Sequence, residues 1–196
     1  MKQIFLTIGF IIVLSFTVIA QPPSWENQIT LSTAITGATS AVSDGYGQHL
    51  VGVYSGVVKH FLVGNDGVII YNTLSVTSGE YPVVTSYGGK VRVTMKLGSD
   101  IKIYQSTNGG STWLTTFTYP NPGVAIYNLD SYSDIKGTHI VWENNPDIFK
   151  NHEVYYVRYD DYGTNFQDFK NVTDLTSPAA GARPSVTATS NKAHVG

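Results

Sequence analysis

At 196 residues, with twelve Lys and Arg against fourteen Asp and Glu and a formal charge of −2, the chain offers no electrostatic case for binding nucleic acid. The absence of cysteine excludes disulfides, thiolate metal centres and a cysteine nucleophile, so stability must come from packing. Charged residues make up only 13% of the chain, while Gly, Ser, Thr, Asn and Tyr are plentiful, a balance that suits a β-rich extracellular protein with many tight turns.

Residues 1–20 carry a single charge, Lys2, and an apolar stretch from Ile4 to Phe16 that runs on through Val18 to Ala20. They read as an export signal cleaved near Ala20, after which Gln21-Pro22-Pro23 opens a polar, turn-rich segment. A membrane anchor is the competing reading, but the run is near the lower limit for spanning a bilayer and no basic stop-transfer cluster follows. Residues 21–196 contain no second long apolar run, so the mature chain is expected to lack a membrane span and to be secreted or held at the cell surface. Export without cysteine suits a bacterial surface or periplasmic protein.

The rest of the chain is repetitive. A strand follows glycine at Gly47-Gln48-His49-Leu50-Val51-Gly52-Val53, at Gly89-Lys90-Val91-Arg92-Val93-Thr94-Met95 and at Gly137-Thr138-His139-Ile140-Val141-Trp142, and again at Asn191-Lys192-Ala193-His194-Val195-Gly196. Equivalent positions 49, 91, 139 and 194 lie 42, 48 and 55 residues apart, a period that points to propeller blades with loop insertions. Upstream, Tyr81-Pro82-Val83-Val84-Thr85 matches Arg183-Pro184-Ser185-Val186-Thr187, with proline where a strand begins and removes no ladder hydrogen bond. Downstream, Val57 to Val63, Ile101 to Gln105 and Glu153 to Tyr159 read as half-buried antiparallel strands.

A turn completes each unit. Ser106-Thr107-Asn108-Gly109-Gly110-Ser111-Thr112-Trp113 has the form Ser-x-Asx-x-Gly-x-x-aromatic, Tyr159-Asp160-Asp161-Tyr162-Gly163-Thr164-Asn165-Phe166 repeats it, and a faded copy holds Asn65 and Gly67. Asp or Asn accepts backbone amides two residues on, Gly takes positive φ, and the aromatic ring is expected to pack under the loop. The structural residues of the turn are thus Asn65, Gly67, Ser106, Asn108, Gly110, Trp113, Asp161, Gly163 and Phe166.

This pattern resembles the Asp-box, or bacterial neuraminidase repeat, of the sialidase-like β-propeller superfamily, and His139-Ile140-Val141-Trp142-Glu143 followed by Glu153-Val154-Tyr155-Tyr156-Val157-Arg158 is similar to blades of that family. Asn replaces Asp in two copies, and Val63 and Tyr159 replace the usual Ser or Thr. The resemblance implies an all-β partial propeller of about three to four four-stranded antiparallel blades over residues 21–196. The last blade stops two residues into the strand that matches His139-Ile140-Val141-Trp142, so the sequence is expected to be the opening part of a longer product. A complete open arc, or association with another copy, is the other reading.

Sialidases of the resembling family use an arginine triad, a tyrosine nucleophile paired with glutamate, and an aspartate acid/base. The early Arg-Ile-Pro signature of that family is absent, and the arginines are Arg92, Arg158 and Arg183, of which Arg92 falls in a repeat strand and Arg183 in the repeat-start motif. No catalytic, cofactor-binding or metal-ligating set is therefore assigned. His49, His139 and His194 recur at one repeat position, but with Val91 as the match in the second repeat they read as packing residues. Asp160 and Asp161 read as solvated and turn-forming respectively rather than as a calcium site. Trp142 reads as core, most strand tyrosines as packing, and Asn171-Val172-Thr173 as a weak glycosylation acceptor. The reading that follows is a non-catalytic module for extracellular glycans or surface proteins. The alternative is a glycoside hydrolase whose catalytic set is completed by further blades.

Overall fold

The structure, a computed structural model, describes residues 35–64, 68–71, 73–120, 122–144, 153–161, 165–173, 183–189 and 192–196. The export signal expected at 1–20, and Asn65, Gly67 and Gly163 of the turns, lie outside them. Every regular element among the described residues is a strand, and none of them forms a helix long and apolar enough to cross a membrane.

The strands form four successive antiparallel meanders. The first sheet is β1 (Ile35–Asp44), β2 (Gly47–Tyr54), β3 (Val57–Val63) and β4 (Ile69–Tyr71), with β5 (Ser75–Thr77) also pairing β3. The second is β6 (Gly79–Tyr87), β7 (Lys90–Leu97), β8 (Asp100–Ser106) and β9 (Thr115–Tyr119). The third is β10 (Tyr127–Asp134), β11 (Gly137–Glu143), β12 (Val154–Asp160) and β13 (Asn165–Asn171), and β14 (Val186–Thr189) pairs β15 (Lys192–Val195) in a two-stranded fourth. The first strands β1, β6, β10 and β14 lie side by side in that order. The expected partial propeller of all-β blades is what the chain builds.

Blades stack because their middle strands are covered on both faces. In β7, Val91, Val93 and Met95 point one way and join Val51, Val58, Leu74 and Val84 between the first two sheets. On its other face, that of Arg92 and Thr94, Ile101 and Ile103 of neighbouring β8 meet Ile140, Trp142, Tyr155, Val157 and Tyr159 of the third sheet. The reverse face of that sheet, with Val141, Val154 and Tyr156, receives Val186 and Val195 of the fourth. A strand buried on both faces loses the polar-apolar alternation of a half-exposed one, and β11 is buried at every position. The outer strand β13 is largely exposed.

Strand pairing corrects the alignment of the repeats. Asp44 pairs Gly47, Tyr87 pairs Lys90, Asp134 pairs Gly137 and Thr189 pairs Lys192, so each first hairpin has a two-residue loop. Counting from those loops, His49, His139 and His194 match Arg92 rather than Val91. The slip arises because the second hairpin holds its glycines inside the loop, Gly88 (φ 59°) and Gly89 (φ 74°), whereas Gly47 and Gly137 open the following strand. At Gly137 a Cβ would overlap the carbonyl oxygen of Tyr159 on the neighbouring strand, and at Gly47 that of Val63, so glycine there answers a close backbone approach.

Antiparallel connection puts the loops between first and second strands, and between third and fourth, at one end of the stack. The loops between second and third strands and the links between sheets lie at the other end.

Candidate functional site: an axial cleft and the corners between blades

At the link end, the first strands of the first three blades are each irregular near their start. Register shifts fall between Ile35 and Thr39, Glu80 and Val83, and Tyr127 and Asp130. Tyr81 (φ 52°) and Asn128 (φ 44°) are equivalent residues of these bulges, both left-handed without being glycine. Such a conformation costs on the order of 1 kcal/mol or more and persists only where surroundings impose it. Arg183 holds the matching place before β14. Together Tyr81, Asn128, Asp130 and Arg183, with Thr39 and Ser40, line a cleft of about 300 Å³ between the first strands of four sheets.

The walls of the cleft are tied blade to blade. Ser40 Oγ accepts the Val84 amide (3.2 Å) and Asp130 Oδ2 accepts the Val186 amide (3.0 Å), the same bond between the first and second blades and between the third and fourth. The Asn128 carboxamide donates to Glu143 Oε2 at 2.7 Å, which anchors the strained residue to a fully buried carboxylate. Burial, and then the charge of Glu80, push the Tyr81 phenol up, so it stays neutral at physiological pH. Arg183 is exposed and bonds to no other described residue, leaving its guanidinium facing the cleft's solvent.

Beyond the cleft, Glu153 accepts from Asn144 Nδ2 (2.8 Å), Tyr155 Oη (2.7 Å) and Asn171 Nδ2 (3.0 Å). Tyr155 is stacked on Trp142 and Phe169, and burial followed by the hydrogen bond to Glu153 pushes its phenol up to about 12. This tyrosine-glutamate pair is arranged to keep the phenol protonated. Asn171, singled out as a glycosylation acceptor, spends its amide on Glu153.

The opposite end carries the recurrent bases. His49 is fully buried with Nε2 3.0 Å from Asp44 Oδ1 and Nδ1 3.0 Å from His60 Nε2. His139 repeats the first contact, Nε2 lying 3.1 Å from Asp134 Oδ1, while its Nδ1 meets Tyr156 Oη at 2.8 Å. Asp44 and Asp134 also cap their turns through the amides of Tyr46 and Lys136. Asp44 is half-buried, which alone would raise its pKa, yet hydrogen bonds from Ser86 and Tyr46 and the neighbouring His49 hold it below the usual carboxylate range. These partners were missed in the sequence although Asp-x-x-Gly-x-His occurs twice, at 44–49 and 134–139.

In the second blade the base is Arg92, which has no Asp in its own hairpin. Its Nη2 donates at 2.6 Å to Asp161 of the third blade's turn, to which Lys90 Nζ also donates at 2.9 Å, and its Nε donates to Gln105. Asp161 is therefore a clamp between blades as well as a turn residue. Asp160, expected to be solvated, is half-buried and accepts from Gln167.

The turn at Ser106 is fully ordered by its own side chains. Ser106 Oγ donates to Asn108 Oδ1 (2.8 Å) and accepts the Gly110 amide (2.8 Å), and Asn108 Oδ1 accepts the Thr112 amide (3.0 Å), four residues on rather than two. Trp113 packs against the apolar cluster between the first two sheets. Its indole stands edge-on to His60, ring centres 5.0 Å apart, and donates to Thr73, whose hydroxyl donates to the Gly110 carbonyl. Phe166 packs on Tyr159 and Tyr119. Among the described residues no group of three or more His, Asp or Glu could hold a metal ion.

No protein-family model and no curated protein matches the chain. Solved structures do. A mutant of NanB sialidase from Streptococcus pneumoniae aligns with a TM-score of 0.52 at 12% identity, and NanB in complex with 2-[(3-chlorobenzyl)ammonio]ethanesulfonate aligns with 0.52 at 11%. Each alignment covers 75% of this chain and 25% of the sialidase, so the chain spans about a quarter of those proteins. At this identity the likeness is one of fold, and the described residues are a portion of a sialidase-like β-propeller.

Proposed function

We propose that the chain is an exported, non-catalytic propeller module of the Asp-box type that binds an extracellular glycan or surface protein through the axial cleft. The observation that carries this reading is the convergence there of a guanidinium without a partner among the described residues (Arg183), a neutral phenol (Tyr81), a carboxamide (Asn128) and a carboxylate (Asp130). A few convergent polar groups with an aromatic face suit a polar ligand such as a sugar, since the ring stacks while the others fix its hydroxyls. The strain at Tyr81 and Asn128 supports the same placement. The hydrogen-bonded tyrosine-glutamate pair Tyr155 and Glu153 is held protonated within an aromatic stack, which favours binding over chemistry.

The second reading, a glycoside hydrolase completed by further blades, draws on the sialidases that share the fold. A glycan array and a fluorogenic sialoside assay on the secreted protein separate the two. Array binding weakened about tenfold or more by Arg183→Ala, without turnover, is the expected result. Turnover would refute the non-catalytic reading, and a silent array that Arg183→Ala leaves unchanged would remove the cleft from the account.

A further inference from the structure

The two ends of the stack differ in what their hairpins carry. At the end of the axial cleft, the loops between second and third strands are Ser55-Gly56 and Gly98-Ser99, small and polar as hairpin tips usually are. At the opposite end, large apolar side chains stand in solvent. Tyr46 (49% exposed) and Ile135 (50%) sit in first-hairpin loops and Tyr87 borders another, while Val68 (58%) and Leu114 (74%) flank third-to-fourth strand turns. Toward the cleft end only Phe169 and Val172 are comparably exposed among the described residues, and Phe169 is stacked on Tyr155. The apolar tips are neighbours across blades. The Tyr46 ring lies so close over Gly109 of the second blade that a Cβ there would strike it, and Tyr87 and Ile135 line one cleft between the second and third blades.

Charge at this end has a sign. Asp44 and Asp134 are spent on His49 and His139, and the single carboxylate of Asp161 is shared by Lys90 and Arg92. Lys136, next to Ile135, is exposed, and its ammonium group bonds to no other described residue. The surplus is positive.

We propose that this end of the propeller rests on the surface of an anionic lipid bilayer, with Tyr46, Leu114 and Ile135 entering the interface and Lys136 meeting the headgroups. Apolar tips carried by separate blades offer no flush face to a rigid partner, whereas a bilayer interface takes dispersed apolar side chains one by one. A tyrosine ring suits the headgroup level, where its body is buried and its hydroxyl stays wet. The inference stands on the uneven placement of exposed residues and is independent of what the axial cleft binds. A contact of this kind leaves that cleft facing away from the lipid.

The test is flotation of the secreted protein with vesicles of phosphatidylcholine alone or mixed with phosphatidylglycerol. Binding to the mixed vesicles is expected, reduced by salt and by Lys136→Glu, and about tenfold or more weaker in the Leu114→Ser, Ile135→Ser double variant. Val172→Ser, at the other end, is expected to bind as the wild type does. All these positions are exposed, and circular dichroism confirms that each variant stays folded. The proposal is overturned by absent flotation, by equal binding to phosphatidylcholine alone, by a double variant that floats like the wild type, or by an equal loss in Val172→Ser. Self-association without flotation, read by sedimentation and lost in the double variant, assigns this end to a second copy and also overturns it.

Discussion

His60 illustrates how burial at a blade seam sets chemistry at one residue. It stacks on His49 with ring centres 5.3 Å apart, beneath Gly110 and against Trp113, and its Nδ1 is buried without a partner among the described residues. Burial, then the charge of His49, push its pKa down to about 3, against some help from Asp44. Above the unfolded value of about 6.5 both states are neutral and the stability is complete. Below it the unfolded chain takes a proton that the folded one refuses, so stability falls by up to about 1.4 kcal/mol per pH unit toward pH 3. Urea denaturation of the wild type and His60→Gln at pH 7.0 and 5.0 should show a steeper loss in the wild type. Equal losses would mean the imidazole is solvated.

At the scale of an element, the hairpin around Asn108 is held by side chains that replace missing backbone bonds. Ser106 is fully buried and accepts the Gly110 amide, so Ser106→Ala leaves that donor without its acceptor and should cost about 1–3 kcal/mol. Exposed Thr107→Ala should stay within about 0.5 kcal/mol. Chemical denaturation of the two variants checks the contrast, and equal effects would contradict it. This element was legible from sequence because its residue types are local: serine, asparagine and glycine must stand at fixed offsets to satisfy their own amides. The seating of Trp113 on His60 was not legible, since its partner lies more than fifty residues upstream on another sheet. The base position was misaligned for a local reason as well. Gly88 and Gly89 occupy the loop in the second hairpin, and an alignment anchored on glycine places Val91 where Arg92 belongs.

For the whole molecule, periodicity was sufficient to foresee stacked antiparallel sheets, because each blade must repeat apolar strands that are covered on both sides. The axial cleft was invisible to the same reasoning. Tyr81, the Asn128 and Asp130 pair, and Arg183 come from three different blades, and in sequence they look like ordinary strand residues. The blades are joined by apolar clusters between the sheets and, at the second corner, by a base on one sheet held by the turn of the next.

The pair Arg92 and Asp161 tests that arrangement most directly, because the two lie 69 residues apart and meet only if the second and third blades stack in this register. A double-mutant cycle with Arg92→Met and Asp161→Asn, followed by urea denaturation, should yield a coupling energy of about 2 kcal/mol or more, since either single change strands a buried charge or its partner. Additive effects within about 0.5 kcal/mol would mean that the two side chains do not touch and that the blades are not clamped in this way.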